Sequence, residues 1–311
     1  MISNYPLDSK YNIPILAYHQ IVNNKSDIIN DPWGMVRDYT LKEDFHQQMR
    51  YLSESGFSSI SPADFLFYQN SPEKYSGKKI MITFDDGRLN VLTNALKIMS
   101  KYSFKGSVYV VTGLVSGRQK VSGHPLITKN MNWDHLNILL NEGWTIGSHT
   151  KNHKNLSLIP KDEIIIELSD SKSIIEDKLG YSCDHFAYPG GFYSYLSQSI
   201  VPKYYKTARQ WQWQGIYNCQ NIFTDPYQVT GMNISYHLSQ KEFVRLVHSN
   251  NQKYYFQWNR LRVEILKARI NKNTFFDFLR LVRNVFFRVG IELPHFSTII
   301  NKINNKNIYN G

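Results

Sequence analysis

The stretch "KKIMITFDDGRLN", residues 78–90, carries an apolar run into two adjacent carboxylates and a glycine. Lys79–Phe84 has the β-branched and aromatic residues of a strand, and Leu89–Lys101 has the apolar spacing of a helix. Asp85 and Asp86 therefore stand where a strand is predicted to end. One aspartate there could cap the following helix, but two adjacent carboxylates repel each other and require a positive partner.

The segment "GWTIGSHTKNHKNLS", residues 143–157, contains side chains that could bind such a partner. His149 and His153 are four positions apart, so a helical turn after Ser148 would direct both imidazoles to one side. Two imidazoles and a carboxylate suit a divalent ion of the zinc class, with positions left for water and substrate. Taken alone, this spacing is more typical of surface histidines. Combined with the aspartate pair, it predicts a metal site in which one aspartate binds the ion and the other acts as general base.

The rest of the chain alternates short apolar runs with helical segments. Ile13–Tyr18 and Gly106–Thr112 are predicted strands, and Lys161–Leu179 is a predicted helix that Gly180 terminates. Such alternation predicts an α/β fold with a parallel sheet or barrel. In a barrel, functional groups collect at the carboxyl ends of the strands, which is where the aspartate pair falls.

Three segments together resemble the polysaccharide deacetylase family, also known as the NodB-homology or carbohydrate esterase family 4 enzymes. They are "ITFDDG", "GSHTKNH" and "EDKLGYSCDHFAYPGGFY", in the order and spacing of that family. The early "IPILAYHQIV" is similar to the biofilm-polysaccharide N-deacetylases within it. The resemblance implies a distorted, seven-stranded, TIM-like (β/α) barrel domain at 1–255. Beyond it, a basic helical pattern predicts an amphipathic extension and tail at 256–311.

The resemblance also implies roles for the four central residues. Asp85 matches the catalytic base of the family, and Asp86, His149 and His153 match its metal ligands. The implied reaction removes an acetyl or formyl group from the nitrogen of an amino sugar in a polysaccharide, an oligosaccharide or a lipid-linked glycan precursor. The implied cofactor is one divalent ion, with zinc as the first expectation and cobalt, nickel or iron as the other candidates.

A further group has to protonate the departing amine. Many family members use a late histidine for this step, and the late candidates are His237 in "SYHLSQ" and His248 in "RLVHSN". The members similar to the biofilm enzymes use a histidine after an early strand instead. His19 in "IPILAYHQIV" fits this second pattern and is the predicted general acid. The alternative for His19 is a histidine that is hydrogen-bonded in the barrel mouth.

The third family motif departs here from its usual form, R-x-P-Y-G. The chain reads "AYPGG" at 187–191, so Ala187 occupies the position of the arginine that orients the base. Either Arg209 or Arg88 could replace the missing charge. The loss of the arginine also raises a second hypothesis, a carbohydrate-binding protein of the same fold with impaired catalysis.

Residues beside the matched motifs are the predicted substrate contacts. Gly190 can supply a backbone N–H to the developing oxyanion and allows close approach of a ligand, and Pro189 precedes it. Tyr188 and Trp133 adjoin matched motifs, and their rings are predicted to stack on the apolar faces of sugars.

Composition limits the classes of partner and location. The 311 residues carry a formal charge of +11, which favours anionic surroundings. No nucleic-acid module is present, so we expect no nucleic-acid partner. The amino-terminal residues lack the pattern of a signal peptide, and no window is apolar enough to span a membrane, so we expect a cytoplasmic protein. The basic segment 259–289 could contact an anionic membrane leaflet peripherally, or it could pack against the barrel.

Overall fold

A computed structural model of the chain describes residues 9–24, 39–117, 129–211, 220–235 and 238–248. The predicted extension and tail at 256–311 lie outside these residues, and so does the segment 259–289 with its predicted membrane contact. The domain boundary near residue 255 and both of these expectations stay predictions.

Short strands form the centre of the fold, and most of them are buried runs of apolar or small residues, as expected for parallel strands covered on both faces. Their bounds are β1 Asn12–Ile13, β2 Ile15–Tyr18, β3 Gln20–Val22, β4 Tyr39–Leu41, β5 Phe57–Ser59, β6 Lys78–Asp85, β7 Ser107–Val110, β8 Thr145–Ser148, β9 His185–Ala187, β10 Thr207–Trp211, β11 Gln220–Asn221 and β12 Val229–Asn233.

Seven of these strands close into a parallel barrel. Their order is β2, β12, β10, β9, β8, β7, β6, and a pairing between β6 and β2 closes the circle. Each of these pairings is parallel. β5 pairs with the first residues of β6 outside the circle, while β1 with β11 and β3 with β4 form two small sheets. The predicted seven-stranded (β/α) barrel is therefore confirmed.

β6 ends at Asp85, the first aspartate of the pair, and its side chains alternate between the helical layer and the barrel interior. Phe84 faces the helical layer, where its ring lies 5.6 Å from the ring of Tyr18 and 6.0 Å from that of Phe45. Successive side chains of a strand point to opposite faces. Asp85 therefore points into the barrel interior.

The helices cover the outside of the barrel. Their bounds are α1 Lys42–Glu54, α2 Pro62–Asn70, α3 Lys97–Ser100, α4 Trp133–Asn141, α5 Lys161–Leu179, α6 Tyr195–Ile200 and α7 Gln240–Val247, with 3₁₀ turns at Ser9–Tyr11, Pro72–Lys74, Thr112–Gly117, Pro189–Gly191 and Val201–Lys203. α5 has the predicted bounds, and Gly180 ends it with a left-handed φ of 59°. Within the described ranges, no helix combines the length and apolar character needed to cross a bilayer.

The helix after the aspartate pair differs from the prediction. One α-helix was expected over Leu89–Lys101, but a π-helix at Val91–Leu96 precedes α3. The wider π turn buries a polar residue, Asn94, together with Val91. Apolar spacing cannot anticipate this turn, because the inward position is not apolar. π-helical segments are rare and frequently lie at functional sites.

The buried imidazole of His185 predicts a loss of stability in acid. Its Nδ1 lies 3.0 Å from Thr207 Oγ1, and burial lowers the pKa of His185 from 6.5 to about 4. The unfolded chain therefore takes up a proton first, so stability is full above pH 6.5 and falls as the pH drops. Between pH 7 and pH 4 the wild type should lose about 3 kcal/mol more unfolding free energy than a His185→Gln variant, measured by urea unfolding. Parallel pH curves for the two proteins would contradict this assignment.

Candidate active site and metal centre

Asp85 is held inside the barrel by two side chains of β10. Arg209 Nη2 donates to Asp85 Oδ1, and Trp211 Nε1 donates to Asp85 Oδ2 at 3.1 Å. These two residues are two positions apart on one strand, so their side chains point to the same side. Arg209 also lies over the ring of Tyr109, 5.2 Å from its centroid. Both oxygens of the buried carboxylate therefore have a donor.

The charges around Asp85 keep it ionised. Burial raises the pKa of Asp85, but the guanidinium of Arg209 is the largest of the groups that oppose burial, and the net effect is a lowered pKa for Asp85. At neutral pH the carboxylate is therefore able to accept a proton.

Asp86 leaves the strand through a left-handed turn. Asp86 and Gly87 both have a φ of 69°, a conformation that aspartate tolerates better than most residues and glycine adopts freely. A side chain at position 87 would also be tight, because its Cβ would lie 3.1 Å from Val110 Cγ1. Arg88 Nη2 donates to Asp86 Oδ2 at 3.1 Å. The turn and this contact leave Asp86 Oδ1 facing the two histidines.

Asp86, His149 and His153 converge on one point. Asp86 Oδ1 lies 3.7 Å from His149 Nε2 and 3.5 Å from His153 Nε2, and one ligand atom from each residue falls within 4.8 Å of the others. His149 Nδ1 donates to the carbonyl oxygen of Ala187 at 2.7 Å. That bond fixes the tautomer, so His149 Nε2 offers a lone pair to the cluster.

The histidines converge through a loop and not through a helix. The expected helical turn after Ser148 is wrong, because residues 149–155 have no helical structure. Thr150 and His153 instead have left-handed φ values of 67° and 56°. Such values are uncommon for residues with a side chain, and they place strain at a site that the surrounding structure has to hold.

Glu167 on α5 holds this loop. Its carboxylate accepts from the backbone N–H and from Nδ2 of Asn152, each at 2.8 Å. Glu167 is buried, and Asn152 directly precedes His153. The contact therefore fixes the backbone immediately before one member of the cluster.

His19 follows the end of β2 and is buried beside Asp85. Its Nε2 lies 3.9 Å from Asp85 Oδ2, and its ring meets the ring of Trp211 edge-on with centroids 4.8 Å apart. Of the late histidines, His237 lies outside the described residues. His248 follows α7, where its Nε2 lies 2.8 Å from the hydroxyl of Tyr51 in the helical layer. Among the described candidates, the structure places His19 beside Asp85.

The two candidate arginines contact different aspartates. Arg209 bonds Asp85, whereas Arg88 bonds Asp86. Arg209 is the register partner of Ala187, the position at which the third motif lacks its arginine. A Cβ at Gly231, on the other side of Arg209, would lie 3.0 Å from Arg209 Nη1. Small residues on both neighbouring strands therefore make room for this guanidinium.

The predicted substrate residues have different surroundings. The ring of Tyr188 is 0% exposed and packs against Phe186 at 5.0 Å, so the prediction that it stacks on a sugar is wrong. Pro189 and Gly190 form the turn after β9, in which Gly190 has a left-handed φ of 58°. Trp133 begins α4 and is partly exposed, so its ring remains available.

Sequence reasoning left Arg209 as one of two candidates for the missing charge, and it missed the hydrogen bond from Trp211 to Asp85. The available signal was their i, i+2 spacing in "TARQWQW", which puts a cation and an indole N–H on one face of a strand. Nothing in a single sequence gives the register that brings this face opposite Asp85.

These features have the layout of a (β/α)-barrel hydrolase, with an ionised carboxylate and an Asp-His-His cluster at the carboxyl ends of strands. Residues 73–206 of the chain match the sequence model of the polysaccharide deacetylase family. The predicted family resemblance is therefore confirmed.

Two relatives extend this match. YxkH of Bacillus subtilis, which is named as a polysaccharide deacetylase, is 25% identical over 182 residues. That match covers 58% of this chain and 58% of the relative, less than two thirds of its length. Poly-β-1,6-N-acetyl-D-glucosamine N-deacetylase of Staphylococcus aureus MRSA252 is 25% identical over 204 residues, covering 60% of this chain and 68% of the relative.

Solved structures share the fold. Streptococcus pyogenes deacetylase PplD, in complex with acetate, has a TM-score of 0.63 and 22% identity, covering 76% of this chain and 98% of that protein. IcaB from Ammonifex degensii has a TM-score of 0.62 and 19% identity, and the match covers 78% of this chain and 97% of IcaB. At these identities the likeness supports the barrel alone.

The ion pair between Arg209 and Asp85 predicts that an arginine on the neighbouring strand β9 can restore the stability lost when Arg209 is removed. Arg209→Ala should lower the free energy of unfolding by about 3–5 kcal/mol, because it leaves the Asp85 carboxylate buried without its cation. Adding Ala187→Arg to that variant should recover at least half of the loss, since position 187 pairs with 209. Urea unfolding measures both effects.

Ala187→Arg alone is the control, and it should destabilise the protein because a second guanidinium crowds the intact pair. A double variant no more stable than Arg209→Ala would show that the two positions are not interchangeable.

The loop contact predicts an effect on metal affinity. Glu167→Gln should weaken zinc binding about tenfold, because an amide cannot accept from both donors of Asn152 and the loop before His153 loosens. Competition with a chromogenic chelator measures the affinity. Glu176→Gln on the same helix, which removes the pair with Lys172, should bind zinc like the wild type. Equal affinities for all three proteins would exclude the positioning role of Glu167.

Proposed function

We propose that the protein is a metal-dependent deacetylase that hydrolyses the amide of an N-acylated amino sugar in a glycan. The observation that carries this proposal is the position of Asp85, ionised and held by two donors, beside the cluster of Asp86, His149 and His153. The match to the polysaccharide deacetylase family supports it independently.

The cluster fits one divalent ion. One carboxylate oxygen and two imidazole nitrogens from Asp86, His149 and His153 form a donor set suited to zinc and to neighbouring transition metals, and zinc is the ion we propose. When bound, such an ion polarises an acyl carbonyl and lowers the pKa of an adjacent water.

The remaining residues supply proton transfer and orientation. Asp85 accepts a proton from the attacking water, whose oxygen forms a bond to the acyl carbon. The amide N–H of Gly190 donates to the carbonyl oxygen as its negative charge grows. His19 gives a proton to the sugar nitrogen as the C–N bond breaks, so the products are a carboxylate and a free amine. Arg209 and Trp211 keep Asp85 in place throughout.

The substrate class we propose is a glycan that contains N-acetylglucosamine, as a polymer, an oligosaccharide or a lipid-linked precursor. The name of the Staphylococcus aureus relative supports an N-acetylglucosamine polymer. Trp133, partly exposed at the start of α4, is the ring we assign to sugar stacking. Trp133 lies two residues after Met131, whose N–H donates to the carbonyl of Gly87 at 2.9 Å beside the cluster.

The competing hypothesis, a carbohydrate-binding protein with impaired catalysis, arose from the missing arginine of the third motif. Arg209 supplies a guanidinium to Asp85 from the neighbouring strand, which removes this reason and favours hydrolysis. The cytoplasmic location, with peripheral contact to an anionic membrane through 259–289, stays a prediction.

Three variants test the proposal. Asp86→Ala and His149→Ala should lose both bound zinc and acetate release from β-1,6-linked N-acetylglucosamine oligomers, because each removes a ligand. Asp85→Asn should keep zinc but lower kcat about 100-fold or more, because it removes the proton acceptor. Elemental analysis and an acetate assay give the two readouts.

His46→Ala is the matched control, because His46 pairs with Tyr102 away from the cluster and its loss should change neither readout. A wild type that retains the oligomers without releasing acetate would instead be a binding protein. Absence of zinc from the wild type, with no activity gained on adding zinc, cobalt or nickel, would refute the hydrolase.

A further inference from the structure

Two asparagines after the aspartate pair bind the backbone of a residue beyond His19. Asn90 Oδ1 accepts from the N–H of Ile21 at 3.2 Å, and Asn94 Nδ2 donates to the carbonyl of Ile21 at 2.7 Å. Ile21 lies in β3, which begins directly after His19. We call this pair of contacts the Asn90–Asn94 clamp. It ties the segment that carries His19 to the helix that follows Asp85.

The clamp supplies to Ile21 of β3 the backbone hydrogen bonds that a neighbouring strand would otherwise make. β3 pairs with β4, where Ile21 is the register partner of Thr40, and the two side-chain amides bind the backbone of Ile21 in addition. One acceptor and one donor reproduce the pattern that an adjacent strand presents. Asn94 lies in the π-helix and is buried, so the loss of its bond leaves a polar group without compensation from water.

His19 has little else to hold its ring. Within the described ranges, His19 Nδ1 has no hydrogen-bond partner. Its Nε2 lies 3.9 Å from Asp85 Oδ2, beyond hydrogen-bond distance, and its ring packs edge-on against Trp211. The position of the imidazole is therefore set by packing and by its backbone, and that backbone is clamped two residues further on.

We propose that Asn90 and Asn94 are positioning residues, whose clamp fixes His19 relative to Asp85 so that proton donor and proton acceptor serve the same amide bond. The inference rests on the proposed function of His19. A displacement of His19 by about 1 Å is enough to impair such a transfer, although the side chain itself is unchanged.

The leaving group provides a readout specific to His19. Cleavage of an amide requires a proton on the departing nitrogen, whereas 4-nitrophenolate leaves an acetate ester without one. Loss of proton donation therefore lowers the hydrolysis rate of an N-acetylglucosamine oligomer and leaves the hydrolysis rate of 4-nitrophenyl acetate unchanged. A general loss of structure or of metal lowers both rates.

The experiment compares kcat and KM for both substrates in zinc-loaded variants. Asn94→Leu removes the donor at similar volume, and Asn94→Asp turns an acceptor toward the carbonyl of Ile21. Asn90→Asp keeps its acceptor oxygen and adds the same charge, so it is the control for the charge that Asn94→Asp introduces. Gln69→Leu is the control, because Gln69 Nε2 donates to the carbonyls of Ile222 and Thr224 at 3.0 Å, away from the site.

Both Asn94 variants should lower kcat for the amide about tenfold or more, with KM and the ester rate within about twofold of the wild type. Asn90→Asp and Gln69→Leu should leave the amide-to-ester ratio unchanged. His19→Ala should lower this ratio at least as far as the Asn94 variants do. If Asn94→Leu does not fold, the contrast between Asn94→Asp and Asn90→Asp decides.

The possible failures are distinguishable. Equal effects of the Asn94 variants on amide and ester, or none, overturn the clamp if His19→Ala still lowers the ratio, and the proposed function then stands. An unchanged ratio in His19→Ala overturns the donor role and the clamp together. A wild type that cleaves only the ester overturns the proposed function itself.

Discussion

The carboxylate of Asp85 lies in the barrel interior, where an unpaired charge would be strongly unfavourable. Arg209 and Trp211 make the charge tolerable, and they do so from β10, which is not a neighbour of β6 in the barrel. One contact across the interior thus has two consequences. It stabilises two separate parts of the wall against each other, and it keeps the group that we assign as proton acceptor ionised and fixed.

The cluster of Asp86, His149 and His153 depends on backbone conformations that the barrel itself does not require. Asp86, Thr150 and His153 adopt left-handed φ values, and each of them belongs to the cluster or to the loop between its histidines. Contacts from outside the loop maintain this geometry, with Glu167 on Asn152 as the clearest example. Strained backbone conformations cluster where a site needs its side chains to point in directions that helices and strands do not allow.

The sequence was sufficient for the barrel and for the residues that converge. Alternating apolar runs and helices, together with the family motifs, predicted the closed parallel sheet, and the chemistry of aspartate and histidine predicted which side chains would meet. It was insufficient where the outcome depends on three-dimensional neighbours. The helical turn expected between His149 and His153 is a strained loop, the ring of Tyr188 is buried, and Asn94 faces inward from a π-helix. The contact of Arg209 with Asp85 depends on β10 facing β6 across the closed barrel, which one sequence does not encode locally.

The pairing of Arg209 with Ala187 has a consequence for how motifs are used. Position 209 is the register partner of position 187, and from there Arg209 delivers to Asp85 the positive charge that the third motif lacks at Ala187. A scan that demands arginine at one fixed column would discard this chain, although the guanidinium is present. A search that accepts an arginine at either of the two paired positions, 187 or 209, would retain such sequences.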